Sequence, residues 1–373
     1  MDAKHFLDVL KTEFYVGVPD SQLKGLCNYL ISEYGVGNDK HIIAANEGNC
    51  VGIAAGYYLA TGKVPLVYMQ NSGEGNAVNP IVSLLNEKVY GIPVIFAIGW
   101  RGEPGVKDEP QHAFQGEITL SLLDNMNVSY FIVDENTSVE AISQAMESFE
   151  PLLKDGQQVA FVFKKNSLTT DRKVEYKNNN NLLREDAIRE IVKSIGDDVI
   201  VCTTGKASRE LFEIRDQLNQ KHESDFLTVG SMGHASSIAL GIAVTRKDKR
   251  VWCIDGDGAF LMHAGAMFTN AKIKPKNLVH VIINNEAHES VGGMPTAANV
   301  EEFSQIALSC GYEKVFQVSK IDDLREKLEI IKNTSGLCCL EIKCKIAARD
   351  DLGRPTISPE ENMKQFMANL KGI

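Results

Sequence analysis

Asp255 and Asp257 stand two residues apart in CIDGDGAF (Cys253–Phe260), where the apolar run VWCI breaks into a glycine-bracketed turn before an apolar helical stretch. A helix start offers free N–H groups and a partial positive charge, so it suits an anion such as a phosphate. Gly256 and Gly258 permit a sharp turn and close approach of the backbone to a ligand. A carboxylate beside a phosphate repels it unless a cation lies between them. Mg2+ takes oxygen ligands, commonly one or two carboxylates plus ligand phosphates. A second oxygen source is then expected at the next strand end, and HVIINNEAHES supplies Asn285 there, closing a stretch of 30 residues counted from Gly256. The Asn285 side-chain oxygen and a nearby backbone carbonyl would complete the protein's share of an octahedron. Taken singly, GDG reads as a plain turn and NN as a plain strand cap; together, each at a strand end, they favour the site.

Such residues need strands to carry them. Apolar runs read as strands at Phe14–Val18, His41–Ala45, Leu66–Gln70, Val94–Ile98, Ser129–Val133 and Val159–Phe163, and again at Val199–Cys202, Phe226–Val229, Val251–Ile254, Leu278–Ile283, Lys314–Val318 and Leu337–Ile342. Helical patterns alternate with them, among them Ser21–Tyr34, Cys50–Ala60, Val139–Leu153, Ala207–Gln217, Ala235–Val244, Phe260–Lys272 and Asp322–Lys332. This alternation predicts an α/β protein with two doubly wound parallel-sheet domains. The polar KVEYKNNNN, favouring turns, reads as their boundary: domains at 1–175 and 184–373, with an Asn-rich linker at 176–183. In such sheets ligands lie beyond the carboxyl ends of the strands.

Composition narrows the function. The chain has 373 residues with a formal net charge of -10, which argues against nucleic acid as a partner but not against a small anionic substrate. No apolar run approaches the roughly 18 residues that span a bilayer, so no membrane partner is expected. The N-terminal MDAKHFLDVL has an amphipathic helix pattern rather than a secretory leader, making the cytoplasm the expected compartment. The 8 cysteines lack a CxxC pair and read as buried small hydrophobes.

GDGAF followed by NN at this spacing resembles the diphosphate-binding motif of the thiamine diphosphate (ThDP) enzymes of the pyruvate-decarboxylase superfamily. The resemblance implies ThDP and Mg2+ as cofactors. It makes Asp257, Asn285 and the backbone carbonyl of Ala287 the metal ligands, and lays Gly256, Asp257, Gly258 and Ala259 against the diphosphate. The family often has Gly where Ala287 stands, a change that a carbonyl ligand tolerates. Asp255 then reads as a turn or strand-end residue, not a ligand.

ThDP supplies a nucleophilic carbon and an electron sink, and the protein must help activate it. A carboxyl group on the aminopyrimidine ring does so, and Glu47 in HIIAANEGNCVGIAAGYYLATGK resembles the family's acid. Burial raises its pKa and the helix start lowers it; burial is expected to prevail once the cofactor closes the pocket. By the same resemblance Met232 in VGSMGHASSIALGIA props the cofactor and the Gly230 carbonyl accepts from its amine, the alternative for Met232 being a core position. Asn71, Ser72 and Gly73 in YMQNSGEGNAVNP would line the pyrimidine pocket.

The chain is too short for the middle domain that most of the superfamily carries. It is similar to the short two-domain branch, and GVPDSQLKGL, GWRGEPGVKDEPQHAFQGEIT and GSMGHAS resemble the members acting on phosphonopyruvate. That implies decarboxylation of phosphonopyruvate to phosphonoacetaldehyde and CO2, a step of phosphonate biosynthesis. Other 2-oxo acids such as sulfopyruvate, and a non-catalytic ThDP-binding protein, are the alternatives. The loop after Val94–Ile98 supplies Arg101, Lys107, Gln111 and His112 for the anionic substrate and would close as a lid; its alternative is a solvated loop whose charges cancel. Asp20 reads as a helix cap, as an acid orienting the substrate, or as both; Asp20 or His112 would protonate the product-side carbon. The family places the cofactor between subunits, which implies a homodimer or larger homo-oligomer.

Overall fold

A computed structural model describes residues 1–298 and 302–372. The chain divides into two compact units, Met1–Glu175 and Tyr176–Ile373. In the first, strands β1 (Tyr15–Gly17), β2 (His41–Ile43), β3 (Leu66–Gln70), β4 (Ile95–Gly99), β5 (Ser129–Val133) and β6 (Val159–Phe163) form one parallel sheet in the order β2-β1-β3-β4-β6-β5. Its central strands are apolar without alternation because helices cover both faces. On one face Phe6, from the helix Ala3–Leu10, meets Phe161 and Phe163 edge-on with centroids 5.2 and 5.1 Å apart.

The second unit repeats the plan. Strands β7 (Val199–Cys202), β8 (Asp225–Leu227), β9 (Val251–Gly256) and β10 (Leu278–Asn284) are followed by a short ribbon, β11 (Ala287–His288) with β12 (Met294–Pro295), and then by β13 (Lys314–Val318) and β14 (Cys338–Lys343). The parallel sheet runs β13-β14-β10-β9-β7-β8. Its two faces bury separate apolar clusters, one around Ile254, Leu211 and Leu328, the other around Phe260, Phe303 and Ala239. The chain doubles back across β1 in the first sheet and across β7 in the second, so each sheet has a switch point where neighbouring strand ends open a crevice.

Two sequence expectations change. The helix expected over Phe260–Lys272 is two helices, Asp257–Met262 and Ala266–Ile273. The break at His263–Gly265 lies where Gly233 packs in so closely that a Cβ on it would meet His263, Ala259 O and Met262. The Asn-rich stretch is also anchored. Asn178 Nδ2 donates to Asn285 O at 3.0 Å and to Cys344 O at 2.9 Å, and Asn180 Nδ2 donates to Cys344 O at 3.1 Å. All 8 cysteines are unpaired thiols, and no described helix is long and apolar enough to cross a membrane.

Candidate active site

In the second unit the register pairs Ile283 with Gly256, so Asp257 and Asn285 leave the carboxyl ends of adjoining strands β9 and β10. Asp257 opens the helix Asp257–Met262 and is buried. Its Oδ2 accepts from the Thr296 hydroxyl at 3.0 Å, a neutral donor, and burial pushes the carboxyl up to about 7. Asn285 is buried as well; its Nδ2 donates to Glu289 Oε2 at 2.9 Å, and its Oδ1 accepts from Ala287 N at 3.2 Å. Pro295, which has no N–H, stands opposite Ala287, so the ribbon does not consume the Ala287 carbonyl. One carboxylate, one amide oxygen and one carbonyl form a donor set of hard oxygens, and a buried carboxylate displaced this far fits a dication.

The two glycines differ in their surroundings. The space a Gly256 side chain would fill is open, as a ligand approach requires. The space over Gly258 is taken by the His288 ring, whose Cε1 would lie 2.9 Å from a Cβ, and by Thr296, so Gly258 is also required for internal packing. Ala259 is buried within the helix that Asp257 opens. Asp255 is an internal cross-strand tie: its Oδ1 accepts from Gly256 N at 3.1 Å, and its Oδ2 faces His280 Nε2 at 3.4 Å on β10. Met232 is half-buried, not a core residue, in the turn between Gly230 and Gly233 that abuts Ala259.

In the first unit Glu47 opens the helix Glu47–Thr61, is buried, and accepts from Asn76 Nδ2 at 2.7 Å. Burial already raises its pKa against the helix start and the Asn76 hydrogen bond. Gly73 lies flat against it, and a Cβ there would sit 2.4 Å from Glu47 Cγ. Asp20 follows β1, fully buried. Its Oδ1 accepts from Gln70 Nε2 at 2.5 Å, and its Oδ2 accepts from the backbone N–H of Gln22 and Leu23. Burial raises its pKa while these donors and the Arg101 charge oppose the rise; its bonds to Gln22 and Leu23 hold the turn ahead of the helix Lys24–Tyr34 rather than cap that helix. Gly99 makes that position possible, since a Cβ on it would overlap Asp20 Oδ2.

Asn71 is committed internally. Its Nδ2 donates to Arg101 O and Thr119 Oγ1 at 2.8 Å each, and its Oδ1 accepts from Arg101 N at 3.1 Å, so it ties β3 to the next loop. Ser72 is exposed and donates to Gln70 Oε1. The Arg101–His112 loop is fastened at its base. Arg101 binds the Asp108 carboxylate through both Nε and Nη2, and also donates to Ser21 Oγ at 3.1 Å. Burial alone would raise Asp108, but the Arg101 pair and two backbone N–H donors hold it well below the usual carboxylate range. Gly102 sits against the first turn of the helix Pro110–Asn125, where a side chain would overlap His112 O. Lys107 is exposed and Gln111 half-buried. Burial and then the Arg101 charge push His112 down to about 4, so its ring is neutral near pH 7.

Three residues near these sites escaped the sequence reading. Glu289 faces Asn285; Lys206 opens the helix Lys206–Gln217 at the β7–β9 switch point; Glu74 is a buried carboxyl directly after Gly73. An acid four residues beyond NN was the one available signal for the first, and nothing in the local pattern marks the last as buried.

Comparison with known proteins bears on both units. Residues 3–127 match the family model "Thiamine pyrophosphate enzyme, N-terminal TPP binding domain", and residues 200–342 match "Thiamine pyrophosphate enzyme, C-terminal TPP binding domain". A phosphonopyruvate decarboxylase of Streptomyces viridochromogenes is 31% identical, over 94% of this chain and 90% of its own length. A sulfopyruvate decarboxylase of Methanosarcina acetivorans is 29% identical, over 95% of this chain and 92% of its own. The sulfopyruvate decarboxylase subunit beta of Methanococcus maripaludis is 30% identical, over 51% of this chain and 98% of its own.

Proposed function

Because the chain belongs to the thiamine pyrophosphate (ThDP) enzyme family, in its two-domain decarboxylase branch, we propose that it converts phosphonopyruvate to phosphonoacetaldehyde and CO2. The bond between the keto carbon and the carboxylate breaks, and a proton takes the place of CO2. The observation that carries this reading is the β9–β10 register, which sets Asp257 beside Asn285. Both are buried oxygen donors beyond the carboxyl ends of adjoining strands. Asp257, Asn285 and the Ala287 carbonyl would hold Mg2+, and the open face of Gly256 would admit the diphosphate. Gly230 and Met232 would contact the remainder of the cofactor. ThDP when bound supplies a nucleophilic carbon and a sink for the electron pair that CO2 leaves behind.

This chain's residues then handle protons and orientation. Glu47, whose pKa burial raises, would hold or release a proton at the aminopyrimidine of the bound cofactor, while Asn76 fixes the carboxyl. Asp20, buried with a raised pKa, is the acid for the product-side carbon in preference to His112, which is neutral near pH 7. Arg101 positions the loop around the substrate more than it supplies free charge, since Asp108 already engages it. Lys107 and Gln111 remain for the anionic tail. The enzyme works as a homodimer or larger homo-oligomer, with the cofactor between unit 1 of one copy and unit 2 of another, and its compartment is the cytoplasm. A relative named as a subunit of its enzyme supports the assembly.

Sulfopyruvate is the second candidate substrate, favoured by the Methanosarcina relative that matches at nearly the same identity. The test is aldehyde formation by metal-stripped protein given phosphonopyruvate, sulfopyruvate or pyruvate, with and without ThDP and Mg2+. Preference for phosphonopyruvate that needs both cofactors supports the reading. Preference for another acid leaves the cofactor site standing and rejects the assignment of the loop.

A further inference from the structure

We propose that Glu289 is a positioning residue that decides which end of the Asn285 amide faces the cation, an inference that rests on the metal role proposed for Asn285. An Asn amide has an oxygen end and a nitrogen end of nearly equal shape. Only the oxygen end can ligate Mg2+; the nitrogen end would turn an NH2 group toward a positive ion. Something must therefore hold the amide one way round.

The neighbourhood of Asn285 does this with a buried, charge-balanced chain. Asn285 Nδ2 donates to Glu289 Oε2 at 2.9 Å, and a carboxylate accepts only, so turning the amide over would set oxygen against oxygen. Arg184 Nη1 also donates to Glu289 Oε2. Arg184 is gripped from its other side by Glu210, through Nε to Oε2 and Nη2 to Oε1, at 2.7 Å each. The side chains of Arg184, Glu210 and Glu289 are 7%, 1% and 8% exposed. Lys206 Nζ lies 3.8 Å from Glu289 Oε1, so two cations face two carboxylates. Glu289 sits in the 3-10 turn Glu289–Val291, while Arg184 and Glu210 belong to the helices Arg184–Ile195 and Lys206–Gln217. The amide is thus referenced to two helices of the unit and not merely to its own loop. A buried bidentate pair such as Arg184–Glu210 adds little net stability against an apolar substitute, but it fixes geometry, which is what a ligand needs.

The test uses the full-length protein, Mn2+ as the probe, ThDP present, and metal affinity by electron paramagnetic resonance. Glu289→Gln is isosteric and removes the acceptor-only partner of Nδ2, leaving only the 3.2 Å bond from Ala287 N to Oδ1 to hold the amide, so Mn2+ affinity is expected to fall about 10–100-fold. Asn285→Asp alone sets two carboxylates face to face and is expected to bind poorly. The double variant Asn285→Asp/Glu289→Gln keeps the net charge and reverses the hydrogen bond, with the Gln amide donating to the Asp carboxylate. It is expected to regain affinity to within severalfold of wild type, a rescue that a merely structural role would not produce. Unchanged affinity in Glu289→Gln, or a double variant no better than the worse single variant, overturns the positioning role. If wild type binds Mn2+ no better than Asp257→Ala does, the metal reading itself fails, and this inference with it.

Discussion

Gly73 and Glu47 occupy each other's space: a Cβ on Gly73 would lie 2.4 Å from Glu47 Cγ and 2.6 Å from its Oε1. The glycine is therefore a condition for where the acid sits. Gly73→Ala must push the Glu47 carboxyl aside or shift the backbone, at a cost of about 1–3 kcal/mol. Turnover is expected to fall on the order of 100-fold, since small misplacement of a reacting group has that effect. Gly75, two residues on, has open space around it, so Gly75→Ala is the control and should leave kcat within about twofold, helix propensity favouring the alanine slightly. Equal kcat for the two variants would remove Gly73 from the argument.

Glu47→Gln retains the shape and the Asn76 contact but cannot exchange a proton. ThDP and Mg2+ affinity, read by calorimetry, is expected to stay within about threefold of wild type, while turnover falls roughly 100- to 10,000-fold. Full turnover in this variant would falsify the role given to Glu47.

Asp257 should make metal binding pH-dependent in the neutral range. Its folded pKa of about 7 stands above the ordinary 3.8, so the metal-free folded protein holds a proton that the unfolded chain has released. The contribution of this group to metal-free stability therefore falls as pH rises from about 4 to about 7. A proton and a cation compete for the same oxygens, so Mg2+ affinity should rise up to tenfold per pH unit below about 7 and level off above it. Calorimetric titration with ThDP present, near pH 6 and near pH 8, reads the slope. Asp257→Ala should abolish both the binding and the slope.

Much of this was legible in the chain, for physical reasons. Strands Leu66–Gln70, Ser129–Val133, Val159–Phe163, Val199–Cys202 and Lys314–Val318 occupy the residues their patterns predict, and the Asp257 and Asn285 turns lie at strand ends as expected. Parallel strands covered on both faces leave uninterrupted apolar runs, and turns with Gly or Asn close them. What remained hidden depends on partners far apart in sequence. LMHAGAMF carries no breaker strong enough to announce the gap at His263, which follows from Gly233 packing there. Arg101 looks like a free cation until Asp108 is seen to engage it. Asp255 reads as a turn or strand-end residue, and only the fold shows that it faces His280 on the neighbouring strand.

Glu74 is likewise hidden in the sequence, and its burial makes stability pH-dependent. It follows Gly73 directly, is 1% exposed, and its two carboxyl oxygens accept no hydrogen bond among the described residues. Burial pushes its pKa up to about 9 from 4.5, so the carboxyl enters the fold with its proton. Between those values the unfolded chain has lost that proton and the folded chain keeps it, so folding takes one up. Stability from this group thus falls as pH rises through the window, by at most about 1.4 kcal/mol per pH unit. Glu74→Gln cannot ionise and removes the slope. Its unfolding temperature should exceed that of wild type, and the gap should widen between about pH 6 and about pH 9. Glu74→Leu should do the same and more, because it also removes a buried polar group without a partner. Scanning calorimetry of the three proteins across that range reads the gap; a constant or vanishing difference would mean that the Glu74 oxygens are hydrogen-bonded in the assembled enzyme.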